Sequence, residues 1–430
     1  MSGDLLELSR PYLRVLTEYQ IELIHRAALR ILDQTGVEVR HAGARELLEA
    51  AGARVANETR VHVPEFMVQD ALQSAPHAIT IWTRRGEVAF VLGGYDPHFG
   101  IMADCPDVFD PYSGERRPMR AADVGRSALL ADALPNLHFV FEAGWAPDYP
   151  VESADRVCFK QVLTHTAKPV GFCCKDARAM RDMLDRAALA AGGRETLNAR
   201  PFVMHYAEPT SPLTHSEASL GKLVLCAQEN VPVVYTPMPI TGASAPASFA
   251  GTLALNVAEC LSGLVIAQLT RRGAPVIFGG IPGPLEMRTT IFPYGSPELQ
   301  LMVAGLTDIA HYYRLPMFGT AGCSDSKTFD EQASMECMMT CMVNALSGAN
   351  LIHDVGFLDH CTATSYDMMV LADEVIGLLS HILRGIEVNE AELAVDLIRQ
   401  VGPGGSFLDQ PDTLKRFKGW WWPSVIDRSM

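Results

Sequence analysis

From residue 98 onward the chain repeats one pattern: a short apolar run, a break rich in Gly, Pro and polar residues, then a helix-length segment. The runs are Phe99 to Met102, His138 to Phe141, Val170 to Cys173, Phe202 to His205, Val233 to Tyr235, Val276 to Phe278, Met317 to Thr320 and Leu351 to His353. Strands buried on both faces of a parallel sheet read as unbroken apolar runs rather than as alternation. Pro232 and Pro275 stand just before two of the runs, where a missing N–H is tolerated. Eight βα units in succession predict an α/β fold, a (β/α)8 TIM barrel rather than an open sheet.

The first hundred residues have a different rhythm. Thr17 and Gln20 have capping-box spacing, Ile21, Ile24, Ala28, Ile31 and Leu32 share one helix face, and Gly36 closes it. A second helix spans Ala44 to Ala51, and a third runs from Pro64 to about Leu72. Ile79 to Thr83 and Glu87 to Leu92 flank Arg84-Arg85-Gly86 as a hairpin. The expected organisation is an N-terminal α+β cap over 1–97, a catalytic barrel over 98–385, and a C-terminal helical extension over 386–430. That extension is expected to pack on the barrel or at an oligomer interface. Trp420-Trp421-Trp422-Pro423 within it is too apolar to stay bare.

Composition narrows the classes of function. With 430 residues, 48% hydrophobic and 20% charged, there is material for a large core. A net charge of −15 repels phosphate backbones and anionic lipids, so nucleic-acid and membrane-surface partners are not expected. The most apolar windows, Thr252 to Thr270 and Ala333 to Ile352, carry Asn256, Glu259, Glu336 and Asn344, which marks them as core helices. Ten Cys with neither disulfide-framework spacing nor a secretory signal predict reduced thiols and a cytoplasmic protein.

Barrel chemistry sits on the loops after the strands. Those loops and strand ends are aromatic: Trp145, Phe172, Tyr206, Tyr235, Phe292, Tyr294 and Phe357. Converging ring faces hold a quaternary ammonium at about 0.5–2 kcal/mol per ring. No Cys-x-x-Cys or His-Glu-x-x-His spacing points to a metal site, and no Gly-x-Ser-x-Gly elbow or phosphate loop occurs. Glu142 and Glu208, at separate strand ends, are of the type that glycoside chemistry uses.

At these same loops the sequence resembles the trimethylamine methyltransferase superfamily, in its pyrrolysine-free branch of glycine betaine methyltransferases. The resemblance is carried by DPYSGERRPM (110–119), EPTSPL (208–213), PMPITGASAPAS (237–248), FGGIPGP (278–284), CSDSKTFDEQASME (323–336) and GPGGSFL (402–408). It implies a barrel enzyme that moves a methyl group from a quaternary amine to Co(I) of a cobalamin-type corrinoid on a separate protein. The chain holds ordinary residues throughout, without pyrrolysine, which favours a quaternary amine over trimethylamine. Ser406 and Asp412 stand where many relatives carry His. Asp96-Pro97-His98-Phe99-Gly100 is one residue short of the carrier proteins' cobalt-ligating motif, so the corrinoid is expected to arrive on a partner.

For such a substrate the expected catalytic group is His353, His205 and Asp325, with the two histidines as donors to a betaine carboxylate and Asp325 or Asp354 orienting them. Trp145, Tyr206, Glu208, Tyr235, Phe292, Tyr294, Phe357 and Arg288 are expected around the substrate, with Arg288 or Lys327 as cationic alternatives to the two histidines for its carboxylate. Gly279, Gly280, Gly404 and Gly405 are expected to face the corrinoid, and no metal ligands are assigned. A homodimer or higher homo-oligomer is expected. A zinc-assisted methyltransferase or hydrolase on the same barrel, and a non-catalytic betaine-binding protein, remain open at this stage.

Overall fold

The computed structural model describes residues 10–429, so residues 1–9 of the expected cap and residue 430 of the extension lie outside it. All eight apolar runs are strands: β1 (His98–Ile101), β2 (Leu137–Phe139), β3 (Val170–Phe172), β4 (Val203–Ala207), β5 (Val233–Tyr235), β6 (Val276–Gly279), β7 (Met317–Thr320) and β8 (Leu351–Val355). Each pairs in parallel with its neighbours in chain order, and β8 pairs with β1. A Val140–Val170 bridge just beyond β2 closes the ring against β3. The protein is a (β/α)8 barrel.

One main helix follows each strand: α1 (Ala121–Ala133), α2 (Val151–His165), α3 (Ala177–Ala191), α4 (Glu217–Glu229), α5 (Phe249–Thr270), α6 (Pro297–Tyr313), α7 (Glu331–Ser347) and α8 (Tyr366–Ile382). Asp176, Ser216, Ser296, Asp330 and Ser365 accept first-turn amides at five of the starts, which fixes where each loop hands over to its helix. Two strand glycines make room for rings in the barrel. A Cβ on Gly100 would lie 2.4 Å from Phe139, and one on Gly171 would lie 2.4 Å from Phe141.

The N-terminal helix spans Glu18–Arg30 with the Thr17–Gln20 capping box formed, and a π turn over Ile31–Thr35 carries it to Gly36 at φ 74°. The other two cap helices are Ala42–Ala50 and Glu65–Ser74. The hairpin pairs Ile79–Trp82 with Val88–Leu92, and Phe90 stacks on His98 at 4.4 Å, plugging the amino-terminal end of the barrel. A small sheet of Val37–Val39, Arg54–Val55 and Arg60–His62 also takes in Thr214–His215 from the loop after β4, so cap and barrel share a sheet. All three cap helices pack on α5. That cover explains why α5, long and apolar enough to cross a membrane, has 83% of its most apolar window buried.

The resembling segments meet in space. Ile240–Thr241 after β5 pairs with Gly283–Pro284 after β6. The hairpin Asp107–Phe109 and Arg116–Pro118 joins Phe357–Leu358 and Ala363–Thr364 in one four-stranded sheet at the carboxyl end of β8. The extension after α8 forms short helices at Glu390–Leu393, Val395–Val401 and Pro411–Arg416, and none of its described residues is buried.

Candidate active site

The carboxyl-terminal end of the barrel is floored by rings from distant strands. His353 of β8 stacks on Phe318 of β7 with centroids 4.3 Å apart, and lies 6.2 Å from both Tyr206 of β4 and Phe141 at the end of β2. Side chains from four strands meet only in the interior, so His353 and Tyr206 point inward. The backbone turns left-handed at Asp354 (φ 80°), whose Oδ1 lies 2.7 Å from His353 Nδ1 and whose Oδ2 accepts from the Thr320 hydroxyl. With Nδ1 donating to Asp354, the second nitrogen is left uncommitted. Nε2 is buried without a hydrogen-bond partner.

Three carboxyl groups gather at one side of this floor. Tyr206 Oη donates to Glu208 Oε2 at 2.9 Å. Asp104, beyond β1 in a left-handed conformation (φ 62°), and Glu208 both keep solvent-exposed surface, while protein crowds them from the other sides. That crowding pushes both carboxyls above their ordinary range, although the water they reach limits the effect; Lys222 pulls both the other way. Glu142 is fully enclosed, and burial followed by repulsion from Asp104 lifts it well above the carboxylate range. Its Oε2 accepts from Cys173 N at 3.2 Å, and Oε1 has no partner. Lys222 reaches up from α4, donating to Cys174 O at 2.9 Å.

Opposite, the loop after β6 contributes rings. Phe292 and Tyr294 meet edge to face at 5.0 Å, and Tyr294 meets Phe357 at 6.4 Å. Asp325 holds this loop: its carboxylate accepts from Tyr294 N at 2.8 Å and Gly295 N at 2.9 Å, and lies 2.9 Å from His360 Nδ1. Ser324 Oγ and Asp325 N both donate to Glu336, at 2.6 Å and 2.8 Å. Asp325 therefore positions the aromatic wall, with its oxygens committed to that task.

Several expected residues lie elsewhere. His205 points out of the barrel, against Phe172 at 4.7 Å, which in turn packs on Phe159 of α2 at 5.1 Å. Burial without a partner on either nitrogen drives its pKa far down, so it is a neutral core residue and not a carboxylate donor. Because Tyr206 next to it faces in, strand alternation sends His205 out. Tyr235 also faces out: His215 Nδ1 and Ser219 Oγ lie 2.9 Å and 3.2 Å from its hydroxyl, and its ring fills the space over Gly263 of α5. Arg288 is open to solvent and paired with Glu286. Lys327 is engaged by His360 and Asp359. Gly279 and Gly280 are buried; a Cβ on them would strike Phe318 O at 2.3 Å and Asn256 Oδ1 at 2.1 Å. Gly404 and Gly405 are exposed in the extension, and Trp145 is half-buried with its amide on Cys105 O. Asp104, Lys222, Phe141 and Phe318 were not anticipated: Lys222 sits on a helix, and the two rings read as ordinary strand residues. Among the described residues no cluster of three or more His, Cys, Asp or Glu has metal-binding geometry.

Inward-facing rings with a buried histidine and clustered carboxyls, at the loop end of a (β/α)8 barrel, define a barrel enzyme with its chemistry on the loops after the strands. The family model described as trimethylamine methyltransferase (MTTB) matches residues 4–430, and the chain belongs to that family of methyltransferases. It is 33% identical to a glycine betaine methyltransferase of Desulfitobacterium hafniense, over 97% of this chain and 88% of that protein. It is 32% identical to a trimethylamine methyltransferase of the same species, over 88% of this chain and 76% of that one. The solved monomethylamine methyltransferase of Methanosarcina barkeri shares the fold, with a TM-score of 0.56 at 13% identity over 90% of this chain and 79% of that chain.

Proposed function

We propose that this protein takes a methyl group from a quaternary amine of the glycine betaine kind and passes it to a corrinoid carried by a separate protein. The observation that carries this reading is the ring-lined barrel mouth in a chain so similar, along nearly its whole length, to a glycine betaine methyltransferase. The corrinoid would supply the nucleophilic Co(I) that accepts the methyl group. Access suits such a carrier, because Asp104 and Glu208 remain solvent-exposed in the open mouth.

The chain's own residues do the rest. Tyr206, Tyr294 and Phe357 offer ring faces to the ammonium. Its charge disappears as the C–N bond breaks, so a full anion touching nitrogen would hold the ground state too tightly. Carboxyls pushed upward at Glu208 and Asp104 give a softened negative field instead. The departing tertiary amine is neutral, and no general acid is required. His353, fixed by Asp354, presents Nε2 to the substrate carboxylate and donates to it when protonated.

The same reading places the protein in the cytoplasm, in keeping with ten unpaired thiols, and takes the active species as a homo-oligomer of chains with a cap (1–97), barrel (98–385) and extension (386–430). Incubation with cob(I)alamin and glycine betaine is expected to yield methylcobalamin and dimethylglycine. Absence of transfer across a panel of betaines would overturn the reading, and full turnover in His353→Ala would remove that residue from the site.

A further inference from the structure

One turn at the barrel mouth is built against its own backbone preference. Phe357–Leu358 and Ala363–Thr364 pair as a hairpin, and in the turn between them Asp359, His360 and Cys361 stand at φ 51°, 56° and 64°. Left-handed backbone is costly for a residue with a Cβ, and three such residues in succession persist only where surrounding contacts fix them. Among the described residues no other non-glycine residues adopt this conformation consecutively.

The contacts that fix this turn come from two other loops. Asp359 N donates to Ser326 O at 2.7 Å, in the loop after β7. The Asp359 carboxylate takes the Lys327 ammonium at 3.1 Å and the guanidinium of Arg116. Arg116 belongs to the hairpin after β1, where it donates to Asp107 at 2.8 Å, and it also reaches Thr362 Oγ1 at 3.0 Å. One planar group thus ties that hairpin to both ends of the turn. His360 passes the constraint onward. Its Nε2 lies 2.7 Å from Lys327 Nζ, which can only donate, so Nε2 accepts and Nδ1 carries its proton to Asp325 at 2.9 Å. Asp325 in turn holds the Tyr294 and Gly295 amides. Cys361 makes a second link, a hydrogen bond between its thiol and the Tyr294 hydroxyl. Tyr294 is gripped at its backbone through His360 and at its ring through Cys361, while Phe357, against which it packs, begins the same hairpin.

We infer that residues 359–361 form a strap that keeps the Tyr294–Phe357 wall in place, and that Arg116 is the remote positioning residue that holds the strap in its left-handed form. Without Arg116, Asp359 retains Lys327, whose side chain is 64% exposed, and the backbone cost at three residues favours relaxation. Relaxing the turn withdraws His360 from Asp325 and Cys361 from Tyr294 together, so the wall loosens with no change at the reacting atoms. The consequence for turnover rests on the proposed function, in which that wall meets the ammonium. The coupling itself needs neither substrate nor corrinoid.

Hydrogen–deuterium exchange on the full-length, substrate-free protein reads the strap at the Tyr294 and Gly295 amides. Loss of a half-buried ion pair is expected to speed their exchange about two- to fivefold in Arg116→Gln, with circular dichroism unchanged. Loss of a hydrogen bond to a carboxylate is expected to speed it about tenfold in His360→Ala. The double variant is expected to exceed His360→Ala only slightly, because both changes act through Asp325. Arg272→Gln breaks an exposed pair with Asp70 at 2.9 Å, remote from the strap, and is expected to leave those amides as they were. If Arg116→Gln loses its fold, Arg116→Lys, which keeps the charge without the three-way contact, is measured in its place. With glycine betaine, KM is expected to rise by similar factors while kcat holds. Parent-like exchange at Tyr294 and Gly295 in the Arg116 variant, multiplicative effects in the double variant, or a fall in kcat at constant KM would each overturn the inference. Amides that respond as expected in a protein that demethylates no betaine would uphold the strap and remove only the proposed function.

Discussion

Tyr206 separates two contributions to the cavity that the geometry superimposes. Its ring borders the floor, 5.5 Å from Phe318 and 6.2 Å from His353, while its hydroxyl donates to Glu208 at 2.9 Å. Tyr206→Phe keeps the ring and loses one hydrogen bond to a carboxyl that still reaches water, so KM for glycine betaine is expected to stay within about threefold. Tyr206→Ala removes the ring, and a cation–π contribution of about 0.5–2 kcal/mol corresponds to a rise of about 2- to 30-fold. The ring also packs, and packing is indifferent to charge. Binding of an isostere in which carbon replaces nitrogen, 3,3-dimethylbutyrate, isolates that part by calorimetry. The reasoning requires the Ala variant to lose more affinity for glycine betaine than for the neutral-headed analogue. Equal losses for both ligands, or a Phe variant as damaged as the Ala variant, would refute the assignment of Tyr206 to the ammonium.

Three other expectations rest on side chains away from the ammonium. Burial lifts the carboxyl of Glu259 to about 7, against hydrogen bonds from Leu213 N and Ser211 Oγ. The folded protein therefore binds a proton that the unfolded chain has already released between about pH 4.5 and 7, so stability falls as pH rises through that window and is level above it, by about 3 kcal/mol in total; Glu259→Gln should flatten this part of a denaturant-midpoint profile, and an unchanged slope would count against it. Tyr235→Phe should leave KM untouched and cost about 1 kcal/mol of stability from its lost hydrogen bonds behind the barrel wall; a raised KM with an unchanged melting temperature would place that ring in the site after all. Asp325→Asn should raise KM severalfold with little change in kcat, since it loosens the Tyr294 loop without touching the reacting atoms; steady-state kinetics showing the reverse split would give Asp325 a direct part in the chemistry.

The barrel was legible because its signal is local and repeated. Each strand is an apolar run bounded by breakers, and each helix begins at a polar cap such as Asp176, Ser216 or Ser365. The site was legible only in part. His353, Tyr206, Glu208, Tyr294 and Phe357, singled out for their positions after strands, lie at the carboxyl end of the barrel. His205 and Tyr235 occupy equivalent positions and face the helices. Asp325 grips a neighbouring loop, and Gly279 and Gly280 serve packing against β7 and α5.

What the sequence by itself determined is the succession of elements, since apolar runs, caps and breakers act over a few residues. Which side of each strand looks inward was decided by the tertiary structure alone. In an antiparallel sheet with one wet face, polar and apolar residues alternate and declare the inward side; in this barrel both faces are dry, so His205 and Tyr206 carry no such mark. Only closure of β8 on β1 and of β2 on β3 set Phe141, Tyr206, Phe318 and His353 around one space, from positions scattered over more than two hundred residues. The same holds for Asp104 and Lys222, brought to the mouth from a loop and a helix by contacts that no local pattern encodes.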